Sequence, residues 1–184
     1  LRIVHVSNAI ESDGKGHVTL IDAISRIKVE GYFVQVYFVG EGTKIPEFEE
    51  YAKEKGTEDI VHFIGRISGH EKMLEFLKTC DLMVFPSKSE GLPRTIIEAM
   101  AVGLPCIASK VGGLPELLDK EYLFAPTDVQ GIVEKICYLI NNPQELENMS
   151  KKNIANVKQY SSDLLMKRRI TFYENLKQCV KEDK

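Results

Sequence analysis

The sequence predicts an α/β protein, a three-layer sandwich in which helices cover both faces of a mostly parallel sheet of about six strands. Three observations carry this. Short, continuous apolar runs rich in Val, Ile and Phe recur from Ile3 to Pro126, the pattern of strands buried on both faces. Helical stretches separate them, and repeated strand–helix alternation with right-handed crossovers builds such a sandwich. From Asp128 onward only helical periodicity remains, which adds C-terminal helices to the sheet.

The first strand is IVHVS, and GKGHVTLIDAISRIKVEG follows it as a helix with Leu20, Ile24 and Ile27 on one face and a stop at Gly31. FVQVYFVG is the second strand, ending at Gly40-Glu41-Gly42, and the charged stretch from Pro46 to Gly56 reads as an exposed helix. DIVHFIG, DLMVFPS, PCIAS and the short YLFAP supply strands three to six, with HEKMLEFLKTC as the helix between three and four. Another helix starts after Pro93. Val129, Ile132, Val133, Ile136 and Ile140 form one apolar stripe, Asn141-Asn142-Pro143 breaks the helix, and Leu165, Phe172, Tyr173, Leu176 and Val180 form a second stripe. Both stripes are read as packing faces.

Composition narrows the function classes. The chain of 184 residues suits one domain, 1–184, and is long enough to bury a core. Hydrophobic residues at 43% and charged residues at 28% fit a folded, soluble protein. A net charge of −3 leaves no basic footprint, which argues against nucleic acid as a partner. No apolar run approaches the roughly 20 residues of a membrane span. The chain begins with Leu1 inside a strand-like run, which we read as part of a longer protein. Cys80, Cys106, Cys137 and Cys179 are widely spaced with no Cys-x-x-Cys, so buried, reduced thiols are expected rather than a metal or redox site. The four histidines show no metal-ligand spacing. His5 and His62 are expected to pack within strands, and His17, beside Lys15 and Gly16, to lie on a helix surface or else to border the site.

Ligands of open α/β sheets bind at the carboxyl ends of the strands, and SEGLPRTIIEAMAVGLPCIAS lies on that edge. Pro93 suits the first turn of a helix, where its missing N–H costs nothing. The following amides carry partial positive charge and can hold a phosphate. Gly91 permits close backbone approach, so Gly91-Leu92-Pro93-Arg94-Thr95 forms a candidate anion cradle. Glu98, about a turn further on, can accept two vicinal hydroxyls such as a ribose presents. Glu90, on the other side of the turn, can take the hydroxyls of a second sugar. A nucleotide-diphosphate sugar matches the whole set. Against this stands a plain alternative of about equal weight on spacing alone, in which Arg94 and Glu98 are an i,i+4 surface pair and Glu90 a solvated acid.

SEGLPRTIIEAMAVGLPCIASKVGGLPELL resembles the E-x7-E signature of retaining GT-B glycosyltransferases, especially glycosyltransferase family 4. GKGHVTLIDA, VYFVGEG, VHFIGRIS and CDLMVFPS resemble further segments of that family, in its order. The resemblance spans nearly the whole chain and covers the C-terminal, donor-binding domain, a Rossmann-like half of a GT-B fold, without the N-terminal acceptor domain. It implies that Glu98 binds ribose and Glu90 the donor sugar. Lys15, beside Gly16, stabilises the leaving diphosphate, with the amides around Leu92, Arg94 and Thr95 along its path. Gly65, Arg66 and Ile67 face the base, and Gly40 and Gly42 border the nucleotide pocket. The reaction implied is retaining, metal-independent sugar transfer to a glycan, lipid-linked or small-molecule acceptor, with no cofactor beyond the nucleotide-sugar substrate. The family setting implies a cytoplasmic protein working with its own N-terminal domain, peripheral at the inner face of a membrane, in polysaccharide biosynthesis.

One position departs from the family pattern. Asn8 stands near the place of a family Arg that puts a second cation on the diphosphate, and Lys88 and Arg94 are the nearest replacements in sequence. Two other readings therefore stay open: a non-catalytic nucleotide-binding domain and a GT-B nucleotide-sugar epimerase. Gly112-Gly113 makes a further turn that either approaches the donor sugar or only redirects the chain.

Overall fold

The computed structural model describes residues 1–182, with side chains as far as Gln178. In chain order the elements are β1 (Arg2–Ala9), a 3-10 turn (Asp13–Lys15), α1 (His17–Val29), β2 (Gln35–Glu41), α2 (Ile45–Glu54), β3 (Val61–Phe63), α3 (His70–Leu77) and β4 (Leu82–Phe85). They continue with α4 (Arg94–Ala101), β5 (Cys106–Ser109), α5 (Leu114–Leu117), β6 (Leu123–Phe124), α6 (Val129–Asn141), α7 (Pro143–Val157) and α8 (Ser162–Glu182), with 3-10 turns at Lys120–Tyr122 and Lys158–Tyr160. Each predicted apolar run forms one strand. The six strands lie in the order β3-β2-β1-β4-β5-β6, and every pair is parallel.

Alternate residues of each strand feed two cores, as the two-residue period of a strand requires. Ile3 of β1, Val36 and Phe38 of β2, Leu82 and Val84 of β4 and Ile107 of β5 face a core closed by α1, α2 and α6. Val4, Val39, Met83, Phe85, Cys106 and Ala108 face the other, closed by α3, α4 and α5. The predicted stripe of α1 is fully buried at Leu20, Ile24 and Ile27. The amides of Gly31 and Tyr32 fold back onto the carbonyls of Lys28 and Ile27, so α1 stops where the sequence places its stop. α2 is less exposed than expected, because Phe48 and Ala52 reach the first core.

The stripe of α6 packs as predicted, with Ile132, Val133 and Ile136 buried and Val129 and Ile140 against the same core. The stripe of α8 does not. Leu165, Phe172, Tyr173 and Leu176 are all exposed, and the Val180 side chain lies outside the described residues. Periodicity identified an apolar face, but no described element of this chain covers it. Cys80 and Cys106 are buried thiols as expected, Cys137 is half-buried, and the Cys179 side chain lies outside the described residues.

Two departures from a regular ladder shape the site. The β1–β2 register shifts between Val6 and Ala9, which leaves Ser7 and Asn8 without a partner on β2. β1 pairs with β4 only at Ile3↔Leu82 and Val4↔Met83. Beyond Val4 the two strands part, and the connections leaving them run in opposite directions across the sheet. A crevice opens at this reversal point, where sheets of this order bind ligands.

Candidate functional site

The crevice has a volume of about 670 Å³, against about 350 Å³ for a second concavity near Tyr122 and Tyr138 between the Lys120–Tyr122 turn, α6 and α7. Val6, Asn8 and Ala9 from the end of β1 and Phe85 from β4 form its floor. Lys15 stands on one side with Glu90, Pro93, Arg94, Thr95 and Glu98 opposite, and Gly40, Arg66, Ile67, Gly69, His70 and Met73 close the far end. Of the residues singled out from sequence, Gly16, Gly42, Gly65, Gly91 and Leu92 do not line it; they belong to the turns that shape its walls.

Lys15 is placed by local chain geometry. Ser12 Oγ accepts the Gly14 amide and starts the 3-10 turn. Gly16 follows at φ +77°, a left-handed conformation that glycine adopts without strain. A Cβ at Gly16 would stand 2.1 Å from the Pro86 carbonyl oxygen, so only glycine lets this turn approach the β4–α4 loop so closely. Across the gap, Lys15 Nζ donates to Glu90 Oε1 at 2.5 Å. The Glu90 side chain is 9% exposed and that of Lys15 36%. Glu90 Oε2 accepts from no described group, so one carboxylate oxygen holds the cation and the other is left without a protein partner.

The Glu90 turn rests on a second one. A Cβ at Gly112 would meet the Glu90 carbonyl oxygen at 1.9 Å, and the Gly113 amide donates to the Gly91 carbonyl at 2.7 Å. Gly112-Gly113 therefore packs directly against the Glu90 loop and supports it, and neither glycine lines the crevice.

α4 begins immediately after. Pro93 is its N-cap, with no side-chain cap and no acidic residue in the first turn. The amides of Arg94 and Thr95 find no acceptor among the described residues and point their dipole at the crevice. The expected alternative of an Arg94–Glu98 surface pair is absent: the Arg94 guanidinium has no ion-pair partner among the described residues, and Glu98 Oε1 instead lies 3.7 Å from His70 Nδ1. Arg66 pairs with Glu41 at 2.9 Å.

Two sequence expectations need correction. Lys88 does not line the crevice. Its ammonium turns away to Asp13 Oδ2 at 2.6 Å, because its backbone amide is drawn to the Gly14 carbonyl at 2.9 Å. Nor does His17 lie on a helix surface. It is 0% exposed, stacked on Phe48 at 4.9 Å, with Phe38 at 5.3 Å and the His5 ring at 4.9 Å. The first turn of α1 faces the sheet, so its first residue is driven inward. No described protein group lies within hydrogen-bonding reach of either His17 nitrogen, and burial pulls its pKa down to about 4. His5 is equally buried, and its Nδ1 lies 3.1 Å from the Val84 carbonyl. Burial, helped by the neighbouring His17, holds it well below the usual imidazole value. Both are neutral near pH 7.

Sequence reading missed Gly69, His70 and Met73 as lining residues. A Gly-His step opening a helix was the available signal for the first two, and Met73 follows His70 at i+3 on the same helix.

A parallel sheet in this order, with a cation, two carboxylates and a bare helix start around its reversal point, can now be set beside known proteins. Residues 2–156 match the family described as glycosyl transferases group 1. The chain belongs to that family. Protein CapJ of Staphylococcus aureus is 34% identical over 170 residues, covering 92% of this chain and 43% of CapJ. The N-acetyl-alpha-D-glucosaminyl L-malate synthase of Bacillus anthracis is 28% identical over 175 residues, covering 93% of this chain and 44% of that enzyme. The crystal structure of Anabaena HepE in complex with UDP and glucose superposes with a TM-score of 0.83 at 25% identity, covering 96% of this chain and 48% of HepE. The chain thus spans under half the length of these relatives. The six-stranded parallel sheet with flanking helices is the architecture of the GT-B glycosyltransferases. Among the described residues no helix is long and apolar enough to cross a membrane.

Proposed function

We propose that the crevice binds a nucleotide-diphosphate sugar and that this chain is the donor-binding part of a retaining, metal-independent glycosyltransferase. The observation that carries the reading is the Lys15–Glu90 pair at 2.5 Å opposite the uncapped start of α4, with Glu98 one turn further along. The family match and the likeness to HepE, which holds UDP and glucose, support it. In this reading Glu98 accepts the ribose hydroxyls, and Gly65, Arg66 and Ile67 lie toward the base. The diphosphate lies against the amides of Arg94 and Thr95. Lys15 and the Arg94 guanidinium supply positive charge, and Arg94 takes the part that Asn8 cannot and Lys88 does not.

The mechanism follows from where charge develops. The bond between the anomeric carbon and the diphosphate oxygen breaks. The leaving group gains charge that Lys15 and the α4 amides stabilise. An acceptor hydroxyl attacks from the same face, and its proton passes to the leaving phosphate. Glu90 positions the donor sugar through its unpaired Oε2 and holds Lys15 through Oε1, so it serves as an orienting group and not as a nucleophile. The acceptor is shaped by an N-terminal domain outside residues 1–184, in an enzyme of polysaccharide biosynthesis working at the cytoplasmic face of a membrane. No cofactor beyond the donor is required. On this reading residues 1–184 alone bind nucleotide and transfer no sugar.

Thermal-shift titration with UDP, GDP, ADP and CDP tests the reading, with Glu98→Ala as control. A ligand at 100 times its Kd stabilises the folded state by about 2.7 kcal/mol. One base is expected to stabilise the wild type and to lose its effect in the variant. Equal stabilisation of both proteins would remove Glu98 from the ribose site. A non-catalytic nucleotide-binding domain is the second reading, favoured by Asn8 in the crevice. Sugar transfer by the full-length protein would exclude it.

A further inference from the structure

We infer that Asp13 and Lys88 form a positioning pair that holds Lys15 and Glu90 in register across the crevice. The inference rests on the donor-binding reading above and extends it to two residues that do not touch the crevice. Lys15 and Glu90 are carried by separate connections, one leaving β1 and the other leaving β4. The sheet does not align those connections, since β1 and β4 pair only at Ile3↔Leu82 and Val4↔Met83. Above that point the two turns must be tied to each other directly.

The tie is visible. Asp13 Oδ1 accepts the Val18 amide at 2.9 Å, one of the unsatisfied donors at the start of α1. Its other oxygen accepts Lys88 Nζ at 2.6 Å. The Lys88 amide and the Ser87 hydroxyl both donate to the Gly14 carbonyl, at 2.9 and 3.4 Å. Every residue of the 3-10 turn is thereby linked to the loop of Ser87 to Glu90, with Lys15 itself on the crevice side of the seam. Asp13 joins three things at once: the helix start, the turn and the opposite loop.

The pair matters most when a donor is present. A diphosphate competes with Glu90 for Lys15, and a sugar competes with Lys15 for Glu90. The direct bond between the two catalytic side chains then weakens, and the Asp13–Lys88 bond on the other side of the seam remains. It keeps the two turns at their spacing while their inward groups engage the ligand.

The experiment compares wild type, Lys88→Met, Asp13→Asn, the double variant and Lys88→Arg in residues 1–184. Affinities for UDP, GDP and ADP are measured by calorimetry, beside uridine, guanosine and adenosine. Lys88→Met and Asp13→Asn are each expected to weaken the preferred diphosphate by about fivefold to tenfold, with the double variant no worse than either. The matching nucleoside should bind unchanged, and Lys88→Arg should restore most of the loss. Losses that add in the double variant would show Lys88 acting on phosphate by itself and overturn the inference, as would an unchanged diphosphate affinity in Lys88→Met. If the wild type binds no diphosphate at all, the donor-binding reading falls. The positioning claim is then decided by hydrogen exchange of Gly16, Val18 and Lys88 amides. Faster exchange at all three in Lys88→Met with an unchanged melting temperature sustains it, and unchanged exchange overturns it.

Discussion

Acid should unfold this protein through the two imidazoles buried beneath its site. His17 is held neutral in the fold with a pKa of about 4, against 6.5 in the open chain. The folded value lies below the unfolded one, so the contribution is intact above pH 6.5 and drains away as pH falls toward 4. At about 1.4 kcal/mol per pH unit, the full loss from this one group is about 3 kcal/mol, with about 2 kcal/mol gone by pH 5. His5 adds in the same direction. The charged groups that act on the pair are few: Asp13 opposes the shift of His17, and Lys15 reinforces that of His5. Against a total stability of order 5–15 kcal/mol the effect is large. Urea unfolding at pH 7.5, 6 and 5 measures it, with His17→Leu as the comparison. Leucine is of similar size and has no proton to gain among Phe38, Phe48 and His5. The difference between wild type and variant should change by about 2 kcal/mol from pH 7.5 to pH 5, in favour of the variant. Parallel pH dependences would show that His17 is not the titrating group and refute the argument.

Four further outcomes are expected. Gly16→Ala should cost about 2–4 kcal/mol in chemical denaturation, since its Cβ meets the Pro86 carbonyl at 2.1 Å and the backbone is left-handed; Gly31→Ala, left-handed as well at φ +84° but with open space around it, should cost only the backbone strain, about 1 kcal/mol. Arg94→Ala should weaken a nucleoside diphosphate about tenfold or more by calorimetry, flatten the salt dependence of its binding, and leave the nucleoside unaffected. Glu98→Gln should lower affinity for the ribonucleotide and not for its 2′,3′-dideoxy analogue; an equal loss for both would point to an indirect effect of the side chain. Ile24→Ala, at a position fully removed from solvent, should destabilise by about 2–5 kcal/mol in urea without altering ligand stoichiometry.

The six strands were legible because each is a continuous apolar run, and a strand buried on both faces leaves no other pattern. The geometry of the E-x7-E stretch was legible as well: Pro93 caps the start of α4, and Glu90 and Glu98 both line the crevice. What sequence could not convey was direction. Lys88 is two residues from Glu90 and reads as a crevice cation, yet its amide is captured by Gly14 and its side chain leaves on the other side. His17 follows Gly16 at the start of a helix and reads as surface, but Phe38 and Phe48 arrive from elements 21 and 31 residues away to enclose it. The α8 stripe shows the same limit from the other side, since periodicity reveals which face is apolar and never what that face meets.

The two-rung contact between β1 and β4 has a mechanical consequence. Three strands lie on each side of it, so the sheet is two panels whose shared ladder is short. A molecule gripped between Lys15 on one panel and Glu90, Arg94 and Glu98 on the other adds to the turn-to-loop bonds from Asp13, Gly14 and Lys15 that already tie the upper edge. Its affinity then includes the stiffness of the joint, and any substitution that loosens the two rungs at Ile3 or Val4 is felt by the ligand without coming near it.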